Sequence, residues 1–73
     1  MASLTHDQYE RLERAVAHRQ RLVVYRRGTE YVVIPLSLTT KNGREAIEAR
    51  NPTTGDPLTL FLHELDSIEV VGS

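Results

Sequence analysis

The side chains of this 73-residue chain that can do chemistry are arginines and tyrosines, with no nucleophile or metal cluster beside them. A guanidinium offers a planar fork of donors that matches carboxylate and phosphate, and it stacks on aromatic rings. Tyr25, Arg26 and Arg27 are consecutive, and Arg44 and Arg50 bracket a later segment. Together Tyr25, Arg26, Arg27, Arg44 and Arg50 are the candidate ligand-binding residues. They fall at predicted strand ends, where they would supply one aromatic face and several forks for an anion. The plainer account is that Arg26 and Arg27 solubilise a hairpin while Arg44 and Arg50 pair with Glu45 or Glu48.

Other chemistries find no support in the pattern. His6, His18 and His63 are too scattered to make a helical ligand pair, and His63 beside Glu64 and Asp66 reads as a solvated turn. No serine sits in a nucleophile elbow, and there is no cysteine for thiol chemistry or a structural zinc. Gly28, Gly43, Gly55 and Gly72 are spaced as turns, unlike a phosphate-cradling loop. The chain therefore reads as a non-enzymatic binding module, with no metal and no cofactor expected.

Charge is unevenly placed. Residues 1–27 carry Arg11, Arg14, Arg19, Arg21, Arg26 and Arg27 against Asp7, Glu10 and Glu13, a balance of +3. Residues 28–73 carry Lys41, Arg44 and Arg50 against Glu30, Glu45, Glu48, Asp56, Glu64, Asp66 and Glu69, a balance of −4. Such asymmetry guides anions to one side, or lets a basic face meet an acidic face of a neighbour. Nucleic-acid binding is the alternative function, with arginines for phosphates and Tyr25, Tyr31 and Phe61 for stacking. A pI of about 6.3 and the lack of an RNP or helix-turn-helix pattern weigh against it. Packing in or beside the core is the plainer role of those three rings.

The elements that must position these groups can be read from periodicity. Thr5 and Gln8 have capping-box spacing, Leu4 and Tyr9 form a hydrophobic staple, and Tyr9, Leu12, Ala15, Val16 and Arg19 recur at helical steps. A helix is predicted over about 5–19, ending in a cationic stretch that suits the macrodipole. A two-residue rhythm follows. It predicts strands over 21–26, 30–39, 44–50, 58–62 and 67–71, with turns at Arg27-Gly28-Thr29, Lys41-Asn42-Gly43, the Asn51-to-Pro57 segment and Glu64-Leu65-Asp66. Pro35 donates no ladder bond and should mark a bend, bulge or edge. The expected fold is mainly β with one N-terminal α-helix, a five-stranded SH3-like or Sm-like small barrel forming one domain over 1–73.

A barrel of this size has a thin core, and oligomerisation is the remaining support once disulfides and zinc are absent. A homo-oligomer is expected. The chain opens without a basic leader or apolar stretch and holds no membrane-spanning run, so a soluble cytoplasmic protein with no membrane partner is the expectation.

The order Leu12…Ala15…Leu22-Val23-Val24-Tyr25-Arg26…Ile34-Pro35-Leu36…Glu48-Ala49-Arg50…Leu60-Phe61-Leu62-His63-Glu64-Leu65 resembles the WYL domain across about residues 9–71. The resemblance implies a short helix before an Sm-like or SH3-like barrel, of the kind attached to a helix-turn-helix in bacterial transcription regulators. It also implies a regulatory sensor of nucleotide-like or nucleic-acid ligands. Two departures stand out. Glu45-Ala46-Ile47 aligns with the Trp-Tyr-Leu of the family name, and Glu64 aligns where the family places a pocket arginine. The leading reading is a stand-alone module that senses a small anionic or nucleotide-type ligand or docks on a protein partner. A nucleic-acid-binding barrel comes second and a structural oligomerisation module third.

Overall fold

The computed structural model describes residues 4–71. Thr5 caps helix α1 (His6–His18): its Oγ1 accepts from the Gln8 N–H at 3.1 Å, and the Gln8 Oε1 accepts from the Thr5 N–H at 3.0 Å. This reciprocal pair satisfies two of the donors a helix start leaves free. At the other end Arg19 takes a left-handed conformation (φ 54°), with Gln20 N–H donating to Ala15 C=O and Arg19 N–H to Val16 C=O. That is a Schellman stop built on an arginine instead of a glycine.

Five antiparallel strands follow: β1 (Leu22–Arg26), β2 (Thr29–Lys41), β3 (Arg44–Arg50), β4 (Pro57–Phe61) and β5 (Ser67–Val70). They form one sheet in the order β4-β3-β2-β1-β5. β2 runs further than predicted because it serves both halves of the sheet, pairing with β1 early and with β3 late. Its register shifts between Pro35 and Ser37, so the proline sits at a bulge where the strand bends.

β4 and β5 share no ladder, so the sheet is open and the closed barrel expected from the sequence is not formed by strand pairing. The reason lies in the connection. Phe61 ends β4, and a 3-10 turn, η1 (Leu62–Glu64), carries the chain away from the sheet edge. The predicted tight turn at residues 64–66 therefore lies two residues earlier. Leu62 and Leu65, three apart as that period demands, both turn inward, and Leu65 N–H donates to Leu62 C=O at 3.1 Å. Both leucines join the hydrophobic core.

The core joins Leu12 and Ala15 of α1 to Leu22, Val24, Val33, Ile47, Leu60, Leu62, Leu65 and Ile68. Leu4 and Tyr9, the expected staple pair, both pack against it. Val23 and Ala46 are also buried but stand outside this cluster, on the opposite face of the sheet.

Candidate functional site

Strand alternation divides the five candidate residues between different places. On β1, Leu22, Val24 and Arg26 point to one face and Val23 and Tyr25 to the other. Tyr25 lies opposite Glu30 and donates to its carboxylate at 3.3 Å. Burial first, then the neighbouring charge of Glu30, raises the Tyr25 pKa above its ordinary 10.0. Arg50 lies on that same outer face of the sheet, opposite Ile34 of β2.

Arg26 and Arg27 lie elsewhere, at the β1–β2 hairpin. With Thr29, Tyr31 and Glu64 they line a shallow cleft of about 370 Å³. The Arg26 guanidinium leans over the Tyr31 ring at 5.0 Å from its centre and donates to the Tyr31 hydroxyl at 3.2 Å. On its other side it meets the Glu64 carboxylate at 3.8 Å, too long for a hydrogen bond. Both side chains are about a third exposed, so water screens this pair and holds it weakly. The cleft carries two cations, of which Arg26 is held in place, against one loosely engaged carboxylate.

The preceding residue of η1 brings in Arg44. Its Nη1 donates to His63 Nε2 at 2.9 Å. A guanidinium only donates, so the ring nitrogen is the acceptor in this contact. Phe61 leans on the His63 ring at 5.9 Å between centroids. Adjacent residues of one 3-10 turn thus hold Arg26 and Arg44, which stand far apart in sequence. The carboxylates offered by the plainer account are otherwise engaged: Glu45 accepts from the Tyr9 hydroxyl at 2.6 Å, and Glu48 accepts from Lys41 Nζ at 3.0 Å and Thr59 Oγ1 at 2.7 Å. Among the described residues neither Arg44 nor Arg50 forms an ion pair.

Thr29, Tyr31 and Glu64 are cleft residues absent from the sequence-derived set. Tyr31 had a detectable signal, since on a two-residue period it shares the inward face with Arg26 across the hairpin. Glu64 was marked only by the resemblance, as the position where the family places a pocket arginine; its approach to Arg26 depends on where η1 leaves the sheet. The segment Glu45-Ala46-Ile47 has structural duties: Glu45 ties β3 to α1, and Ala46 and Ile47 are fully buried. Among the described residues no group of acidic or histidine side chains is arranged to hold a metal ion, and no helix is long and apolar enough to cross a membrane.

No family model matches the chain, and no curated protein sequence matches it. Among solved structures the chain is similar to the proteasome accessory factor B/C (PafBC) of Arthrobacter aurescens, with a TM-score of 0.74 and 21% identity. The match covers 100% of this chain and 13% of that one. At such identity the likeness establishes a shared fold, reproduced end to end within a small part of a longer protein.

Proposed function

We propose that this domain is a WYL-like regulatory binding module whose ligand is a small anion of the nucleotide type, received at the hairpin cleft. The observation that carries the reading is the Arg26 guanidinium, stacked over Tyr31 and only loosely countered by Glu64. Tyr31 sets the guanidinium in place, and Arg27 adds a second fork at the rim. Arg44 stands on the far side of η1, where it can meet a longer ligand. Glu64 acts as an internal stand-in for the anion: a phosphate reaching Arg26 displaces it and forms the short, charge-assisted bonds it lacks. The shared fold with PafBC and the resemblance to the WYL domain support a regulatory module that does no chemistry of its own.

Arg26→Ala combined with Arg27→Ala should weaken nucleotide binding, measured by calorimetry, by about tenfold or more while leaving thermal stability nearly unchanged. Glu64→Gln should tighten the same binding by removing the competing carboxylate. Unaltered affinity in both variants would show that the ligand, if any, sits elsewhere. Oligonucleotide affinity that falls steeply with salt, whatever the sequence, would favour a nucleic-acid interface instead.

A further inference from the structure

The outer face of the sheet, turned away from α1, carries an organised pattern that the hairpin cleft does not use. Strand register sets Val23, Val32 and Glu69 in one cross-strand row, with Tyr25, Glu30 and Ser67 in the next. Two residues the other way along the strands, Ile34 lies opposite Arg50. Arg21 flanks Ile34 on its other side by the same alternation, and its carbonyl accepts from Val71 N–H at 2.9 Å. Val32 and Val71, each 43% exposed, are the large apolar side chains left open to water among the described residues. Val23 is 9% exposed although it lies outside the core, so its cover comes from neighbours on this face. The arrangement is an apolar pair, Val23 and Val32, with Glu69 beside it on the edge strand, cations at one end and Glu30 at the other.

We propose that a second copy of this chain docks on the outer face, across a two-fold axis that runs perpendicular to the strands through Val32. Such an axis reverses strand direction. It lays the two Val32 side chains against each other and sets Glu30 of the second copy over Ile34, between Arg21 and Arg50. The offset from Ile34 to Glu30, four residues or about 13 Å along β2, is the same in both copies, so one operation satisfies both ends. Glu30 against Arg21 and Arg50 fixes register and disfavours the parallel alternative, which would set arginine on arginine, while Glu69, in the Val32 row on the edge strand, faces its own copy at the rim and weakens the contact. The molecule measures 30 × 25 × 24 Å, so one face offers on the order of 1,000 Å² in total between two copies, the low end for specific association. The dimer is accordingly reversible and dependent on concentration.

Sedimentation equilibrium of the full chain should show a monomer–dimer equilibrium. V32E should raise its dissociation constant by about tenfold or more, because it buries an unpaired charge at the axis. R21E/R50E should weaken it as well, and adding E30R to that variant should restore it, with far-UV circular dichroism confirming that each variant folds. A chain monomeric at millimolar concentration overturns the proposal. So does a dimer indifferent to both V32E and R21E/R50E. The inference is independent of the ligand reading: the Arg26 and Arg27 substitutions should leave sedimentation unchanged, and V32E should leave nucleotide affinity unchanged.

Discussion

The two β-hairpins make the same turn with different residues. Arg27 and Gly28 have φ 51° and 78°, and Asn42 and Gly43 have φ 53° and 76°. Both are two-residue loops with positive φ at each central position, the geometry that matches strand twist. Asn-Gly is the pair such a loop prefers, because asparagine tolerates the left-handed region. An arginine there carries a conformational cost of about 1–2 kcal/mol with no hydrogen bond of its own to offset it. The second hairpin is also tied down on its surroundings through Lys41 to Glu48, Arg44 to His63 and Glu45 to Tyr9. The first is held by Arg26 at the edge of an open cleft, by a longer Tyr25-to-Glu30 bond across its strands, and by Asp66 N–H donating to the Tyr25 carbonyl, with nothing holding Arg27 at its tip among the described residues. One hairpin is built for stability, whereas the other accepts strain to place a guanidinium at the rim of the candidate site.

The largest effect on this comparison should come from the glycines. A Cβ at Gly28 or Gly43 meets no atom within 4 Å, so the cost of Gly28→Ala or Gly43→Ala is conformational alone, about 1–2 kcal/mol each in urea denaturation. Unequal losses would show that the two turns differ in more than sequence. Exchanging the preceding residues sharpens the contrast. Arg27→Asn should stabilise the domain by about 1 kcal/mol and weaken nucleotide binding, whereas Asn42→Arg should destabilise it by a similar amount and leave binding alone.

A smaller effect is expected from pH; it touches the first hairpin through Tyr25, whose pKa is also raised, and is larger at the anchored one. Hydrogen bonding to Glu45, followed by burial, pushes the Tyr9 hydroxyl from 10.0 to about 12. Its folded pKa is raised, so its stabilising contribution is complete below pH 10 and is lost as pH climbs through about 12. Melting curves across that interval should fall less for Tyr9→Phe than for the native chain. Glu48 runs the other way: hydrogen bonds from Thr59 and then Lys41 hold its pKa below the ordinary 4.5. Its contribution is present above pH 4.5 and vanishes as acid titrates it through the lowered value. Thr59→Val should blunt that acid loss.

Much of the fold was legible in the chain because local rules decide it. The capping box at Thr5, the alternation from Leu22 onward and the Asn42-Gly43 loop each depend on residues within a few positions, and each forms where expected. The bulge after Pro35 was legible too, since a missing donor has to be accommodated somewhere. Closure of the barrel was not. Whether β4 reaches β5 depends on how Leu62 and Leu65 seat in a core assembled from every element, and no local pattern states that. The candidate site was legible only as a list of charges. Tyr25 and Arg26 are neighbours in sequence, and the pleat sends them to opposite faces.

The amino-acid sequence by itself determined the helix, the strands, the two loops and the excess of arginine in the first third, because propensity, period and turn chemistry act over short distances. Only the tertiary structure decided which charges meet. It bent β2 until Arg26 and Arg44 flanked one short turn, brought Glu64 against Arg26, and left Val32 exposed between Arg21, Arg50 and Glu30. Those encounters join residues far apart along the chain, and their geometry follows from the packing of one shared core.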